Sequence, residues 1–254
     1  MADKDIAISI KGLTKHLGGR KVLDDISLDI NRGEIFVIMG GSGHGKSTLL
    51  RNMTGAVVPD KGKIYFNGQD LLALSRIDRE KMQRRFGMSF QSAALLDFLT
   101  VEENVSLPLI EHTRLSTKVI SIIARMKLSL VGLQGFENYY PNELSGGMRK
   151  RAGLARAIAM DPEIVFYDEP TAGLDPVVCA VVDQLILDLT KKLKLTSIVV
   201  THNMESVFRI ADRIAMVYKG KLEEIGSRED IRNSKNPTVQ QFIKGELEGP
   251  IQIT

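Results

Sequence analysis

What this chain lacks narrows it first. It has one cysteine, Cys179, no tryptophan, and aromatics make up only 6% of its 254 residues. A lone cysteine excludes an intrachain disulfide and fits a reducing compartment; on a helix it reads as a small buried apolar side chain. No run of about 18 apolar residues passes without a charge, so no segment is expected to span a bilayer. No apolar stretch follows Asp3, Lys4 and Asp5, so no secretory signal is visible. Any membrane role must come through a partner. A net charge of +3 is too slight to argue for nucleic acid.

What is present is ordinary for a globular protein: 43% hydrophobic and 26% charged residues, without repeats or low-complexity tracts. A chain this long suits one large α/β domain with a smaller lobe. Ile6, Ile8 and Ile10 alternate along the chain, as do Ile26, Leu28 and Ile30, which predicts half-buried strands at the start. Ile35 to Met39 is an unbroken apolar run, the mark of a strand covered on both faces. Three more such strands are expected at Arg85 to Phe90, Ile164 to Tyr167 and Ser197 to Thr201. Arg213 to Tyr218 and Lys221 to Ile225 flank Lys219-Gly220, a hairpin signal. Between Ser92 and Met160 helical spacing takes over, as in Val119, Ile122, Ile123 and Met126. After Pro237, the residues Val239, Phe242 and Ile243 predict a short amphipathic helix. The fold class is therefore α/β: a mostly parallel, helix-covered sheet with N-terminal antiparallel strands and an inserted helical subdomain.

Gly40-Gly41-Ser42-Gly43-His44-Gly45-Lys46-Ser47-Thr48 contains the phosphate-loop pattern G-x-x-x-x-G-K-[ST], placed after a buried strand and before a helix from Ser47 to Asn52. The glycines let successive backbone N–H groups turn toward phosphate oxygens, and the helix N-terminus adds partial positive charge. Lys46 reaches the β- and γ-phosphates, and the Ser47 hydroxyl ligates Mg²⁺. The pattern points to a nucleoside triphosphate with Mg²⁺ without saying which machine uses it. Asp168 and Glu169 follow the apolar strand Ile164 to Tyr167, at the sheet edge where open α/β folds bind ligands. Asp168 is the expected Mg²⁺ ligand and Glu169 the expected general base for the attacking water.

With these residues in order, the chain resembles the ATPases of ABC transporters. Gln91 stands where that family has its Q-loop glutamine. Leu144-Ser145-Gly146-Gly147-Met148 resembles the signature, Asp175 matches the D-loop and His202 the switch histidine. The resemblance covers roughly residues 5–235. It implies that Gln91 senses Mg²⁺ and water, and that Glu169, His202, Gln91 and Lys46 carry catalysis. It also implies that Ser145, Gly146 and Gly147 meet the γ-phosphate bound by a second subunit, so the active form is a head-to-tail homodimer enclosing two ATP. Residues 1–91 and 161–235 would form the ATP-binding core, 92–160 the helical subdomain and 236–254 a tail for dimer or partner contact. Three positions depart from the pattern. Met148 replaces a glutamine, Leu17 stands where an aromatic stacks on adenine (with His16 an alternative), and Gly173 occupies the D-loop.

Phe90 to Leu95, Thr100 to Val105, Glu111 to Thr113 and the Met148-containing signature are similar to the ATPases of Mce-type lipid transporters, the Mla (maintenance of lipid asymmetry) group. That resemblance implies a peripheral position on the cytoplasmic face of the inner membrane. The implied partners are an integral permease, a periplasmic Mce-domain protein and a small STAS-domain protein, with phospholipid as cargo. An importer ATPase for a small solute such as an amino acid, or a soluble non-transport ABC ATPase, are the alternatives. Phe98 and Leu99 serve either a groove for a permease helix or the core of the lobe. The basic run Arg149 to Arg151 reads as one side of the signature helix.

Overall fold

A computed structural model describes residues 5–252. The outermost residues of the segments read above, including Asp3, Lys4 and Thr254, lie outside the described residues. Strands β1 (Ile6–Leu17) and β2 (Arg20–Asn31) form an antiparallel pair. They turn at Gly18 and Gly19, both at positive φ, which glycine adopts without strain. β3 (Ile35–Met39) leads into α1 (Lys46–Met53), then β4 (Lys61–Phe66), the two-residue β5 (Gln69–Asp70) and α2 (Arg76–Gln83). The edge strand β6 (Phe86–Ser89) precedes α3 (Val101–His112), α4 (Thr117–Leu130) and α5 (Gly146–Ala157). The chain continues through β7 (Ile164–Asp168), α6 (Pro176–Leu193), β8 (Thr196–Thr201), α7 (Met204–Ile210), β9 (Arg213–Tyr218), β10 (Lys221–Ser227), α8 (Arg228–Arg232) and α9 (Pro237–Lys244).

Two sheets result. The first is four-stranded and antiparallel, in the order β2-β1-β4-β5. The second is six-stranded, in the order β10-β9-β3-β8-β7-β6, parallel except for the β9–β10 hairpin. The expected mostly parallel sheet with antiparallel N-terminal strands is thus the observed one. Alternation along β3 divides the core between its faces. Ile35, Val37 and Met39 join the helical layer, whereas Phe36 and Ile38 face the first sheet and α1. β6 differs from expectation: Phe86 and Met88 are only half-buried, because it ends the sheet. Its inner face meets α5 so closely that a Cβ on Gly87 would lie 2.3 Å from the Ala157 carbonyl oxygen.

The stretch between β6 and β7 holds only helices among its regular α and β elements. α3 starts at a reciprocal capping box, Thr100 with Glu103, which satisfies backbone donors at both ends of the motif. Val101, Val105, Ile120, Ala124 and Leu128 belong to the same apolar cluster as Val37 and Val165. The inserted helices therefore share a core with the sheet. α9 buries Val239 and partly buries Phe242 and Ile243, as the spacing predicts. Cys179 is buried on α6.

Candidate active site

β3, β7 and β8 end side by side, with Met39 opposite Thr201 and Asp168 opposite Val200. This register brings the phosphate loop, the two acids and His202 to one edge. Gly40 has φ 150° and Gly45 φ 102°. A Cβ at Gly40 would stand 2.2 Å from the Val217 carbonyl oxygen, and one at Gly45 would stand 2.7 Å from that of Val22. The loop is threaded between β9 and β2, and only glycine fits at those two points. It borders a 140 Å³ hollow lined by Val22, Gly43, Gly45, Lys46, Ser47 and Thr48.

Lys46 is buried, and its Nζ donates to the Gly41 carbonyl at 2.9 Å, curling back over the loop. Burial pushes its pKa down, while the charges of Glu169 and Asp168 pull the other way. Ser47 Oγ lies 3.4 Å from Asp168 Oδ1 and donates to it. Burial, followed by the neighbouring charge of Glu169, raises the Asp168 pKa; the Ser47 hydrogen bond and the charges of Arg51 and Lys46 oppose that rise. A hydroxyl and a desolvated carboxylate set together, beside a second acid, suit a hard divalent cation.

Glu169 has an unusual backbone for a non-glycine residue, φ 48°. Its N–H donates to the Val200 carbonyl at 2.8 Å, fastening it to β8. Its carboxylate is held twice: Thr201 Oγ1 donates to Oε2 at 3.1 Å, and His202 Nδ1 lies 2.8 Å from Oε1. Lys46, Ser47, Asp168, Glu169 and His202 are therefore one constellation.

The signature and D-loop residues make their contacts elsewhere. Ser145 caps α5, its hydroxyl accepting from the Met148 N–H at 3.3 Å. A Cβ on Gly147 would come 2.6 Å from Val178 Cγ1, so the start of α5 packs tightly on α6. Asp175 caps α6 by accepting from the N–H groups of Val177 and Val178, both at 3.0 Å. None of Ser145, Gly146, Gly147 and Asp175 lines the hollow over the phosphate loop. Met148 is half-buried and packs on the helical core. Gln91 has an exposed side chain two residues beyond β6. Leu17 is 44% exposed at the end of β1.

His16 is committed elsewhere. Its N–H donates to Asp60 Oδ2 at 2.6 Å, and its ring Nδ1 lies 3.0 Å from the same oxygen. Lys15 first, then His16, hold the Asp60 carboxyl down at about 2. The His44 ring packs edge-on against Tyr218 with centroids 4.8 Å apart, and its N–H and carbonyl bond to Gly41 and Gly220. Burial and the charges of Lys46 and Lys219 lower its pKa.

Two participants carry no functional mark in the sequence. Thr201 reads there only as the end of a strand. Lys150 reads as one of a run of cations on a helix, yet it is buried and donates to the carbonyls of Gln91 and Glu169. A signal for it existed, since Gly147, Lys150, Leu154 and Ala157 lie at helical spacing on one buried stripe.

The family model for ABC transporters matches residues 23–172. This chain belongs to the ABC transporter family. It is 43% identical over 246 residues to the intermembrane phospholipid transport system ATP-binding protein MlaF of Haemophilus influenzae, covering 97% of this chain and 93% of that one. It is 42% identical over 249 residues to the probable ribonucleotide transport ATP-binding protein mkl of Mycobacterium leprae, covering 98% of this chain and 72% of that one. A solved dimeric ATP-binding cassette in a post-hydrolysis state, bound to ADP and Pi, is 33% identical with a TM-score of 0.79, covering 87% of this chain and 98% of that one. The chain is a nucleotide-binding ATPase of this family.

Proposed function

We propose that this chain powers a transporter that moves phospholipids between the inner and outer membranes and so maintains outer-membrane lipid asymmetry. The likeness to an intermembrane phospholipid transport ATPase over nearly the whole length of both chains supports the cargo. Among the described residues no helix is long and apolar enough to cross a membrane. In this reading transport runs through an integral permease, with the ATPase peripheral on the cytoplasmic face of the inner membrane. A periplasmic Mce-domain protein and a small STAS-domain protein complete the assembly.

The observation that carries the chemistry is the doubly held Glu169 carboxylate beside the phosphate loop. The loop's N–H groups and Lys46 grip the triphosphate, Lys46 exchanging the Gly41 carbonyl for phosphate oxygens. Ser47 and Asp168, with the Gln91 side chain, would hold Mg²⁺, which would supply neutralisation of the phosphate charge. Glu169 takes the proton of the attacking water, while His202 and Thr201 fix its direction. Leu17 and the backbone from Gly40 to Thr48 complete the cradle. Ser145, Gly146 and Gly147, with Asp175 behind them, serve the nucleotide of the other subunit in a homodimer. That division gives residues 1–91 and 161–235 the role of ATP-binding core, 92–160 that of a helical subdomain and 236–254 that of a contact tail.

A 500 Å³ groove between α2, β6, α3 and α5, lined in part by Phe86, Met88, Phe90, Pro108 and His112, is the proposed seat of the permease helix. Phe98 and Leu99 do not line it; Phe98 is 76% exposed. Leu115, Val119, Ile122 and Met126 make an exposed apolar stripe along α4 and its approach, a surface of the kind a protein partner covers. The alternative cargo is a ribonucleotide, favoured by the name of the mycobacterial relative. Purification of the complex from membranes in mild detergent separates the two. Bound phospholipid, with turnover unaffected by added ribonucleotides or amino acids, is expected. Stimulation by either solute, with no lipid retained, would overturn the lipid reading.

A further inference from the structure

β6 and β7 run parallel with Ser89 opposite Tyr167, and there the ladder stops. Two residues further along each strand stand Gln91 and Glu169. The carbonyl oxygens of these two residues, which the ladder no longer serves, both accept from the Lys150 ammonium, that of Glu169 at 3.2 Å. Lys150 thus ties the two strand ends together with a single cation, sharing the Glu169 carbonyl with the Ala172 N–H, which bonds it at 3.2 Å.

The environment is demanding. Lys150 is buried, and burial lowers its pKa against the pull of Glu169 and Asp168. A buried ammonium with fixed acceptors is kept only where its geometry is enforced. Glu169 needs enforcing, because its left-handed backbone is disfavoured for a residue with a Cβ. The peptide before it is pinned by the Val200 carbonyl, and the peptide after it by Lys150 together with the Ala172 N–H. The same helix grips the loop after Gln91 a second time. Arg156 donates to the carbonyls of Ala94 and Ala93 at 2.6 and 2.7 Å, and those alanines also sit at positive φ. α5 therefore holds the Gln91 loop at two points and the catalytic strand end at one.

We propose that Lys150 is a positioning residue that ties the Glu169 and Gln91 backbones to the signature helix, so that engagement of that helix by the other subunit's nucleotide resets the catalytic carboxylate. This rests on the reading of Glu169 as the base and of α5 as the half-site offered to a neighbour. The hydrogen bonds of the Lys150 ammonium go to backbone carbonyls. Its effect is on turnover and on communication between the two sites, while the phosphate grip lies with other residues.

The test uses the full chain in its detergent-purified complex. Lys150→Met removes the charge and keeps the length. It should lower kcat roughly ten- to a hundredfold, the scale of a reacting group displaced by about 1 Å. The KM for ATP should stay within about twofold, the pattern of an interaction absent from ground-state binding. The Hill coefficient of turnover should fall toward one, and Lys150→Arg should recover most of both losses. Wild-type kcat and cooperativity in Lys150→Met would overturn the proposal. So would equal losses in the Met and Arg variants together with lost ATP affinity, which would mark general damage. Should Lys150→Met not assemble, Lys150→Gln carries the same test; failure of both to assemble makes the role structural and sinks the idea. Glu169→Gln measured alongside keeps the two readings apart. Full turnover there defeats the general base, whereas turnover lost at Glu169 and untouched at Lys150 defeats only the strut.

Discussion

α1 and α5 are both entered through glycines, yet their first turns are built in opposite ways. The N-cap of α1 is Gly45, left-handed and without any side-chain cap. The N-cap of α5 is Ser145, whose hydroxyl already serves the Met148 N–H. A helix start without a cap leaves its donors for a ligand. The walls differ as well: α1 begins between β2 and β9, beside Lys46 and two acids, whereas Ser145 is exposed, with Gly146 beside Leu174 and Gly147 leaning on Val178 of α6. One chain thus carries an uncapped helix start beside a lysine and two acids at one end, and an outward-facing, partly satisfied helix end at the other. The second makes chemical sense as a contribution to a pocket completed by another copy.

The most severe way to test the first half is to disarm it without emptying it. Glu169→Gln keeps the shape and the Thr201 contact but cannot take a proton. Turnover should fall by about 10²- to 10⁴-fold, the usual worth of a positioned base. ATP binding should remain, with dimers accumulating by light scattering as nucleotide is added. Undiminished phosphate release would remove Glu169 from its role.

The second half is tested by Ser145→Arg, which fills the outward-facing helix end with bulk and charge. Alone it should abolish turnover while the Lys46 cradle still binds ATP. Lys46→Ala should abolish turnover by losing the nucleotide. Mixed in equal amounts, random pairing in a two-fold dimer leaves about a quarter of the sites intact, and that share of activity should return. A mixture as silent as its parents would mean that the two helix ends do not meet across subunits.

The same comparison explains what could be read without coordinates. The phosphate side is local: an apolar strand, a glycine loop and a lysine are contiguous, and β3 falls on Ile35–Met39 as the apolar run predicts. The signature side depends on contacts made far away in the chain. Lys150 is ordinary in sequence until β6 and β7 are laid beside each other. Asp175 carried a legible local signal, an Asp before a Pro at a helix start, and caps α6 accordingly. β4 carried a weak one, since Lys61, Gly62 and Lys63 are exposed and only Ile64 and Phe66 face the core; pairing with β1 on one side and β5 on the other makes it a strand. His16 could not be withdrawn from the base pocket before Asp60 was seen beneath it, 44 residues away.

The smallest expected effect concerns Leu17, the proposed contact for the base. Leu17 lies at the tip of β1, with 44% of its surface open. An aliphatic side chain there gives a base apolar contact without the face-to-face electrostatics of a ring. Leu17→Tyr supplies that ring on an exposed strand end, with no buried neighbour to displace. An aromatic pair is worth about 0.5–1.5 kcal/mol beyond its area, which converts to roughly 2- to 10-fold tighter ATP binding. Because the added contact is made equally before and during hydrolysis, the KM should fall while kcat stays level. Isothermal titration with ATP and with free triphosphate isolates the wall from the floor: the gain should appear with ATP alone. An equal gain with triphosphate, or none with either, would place the base somewhere other than over Leu17.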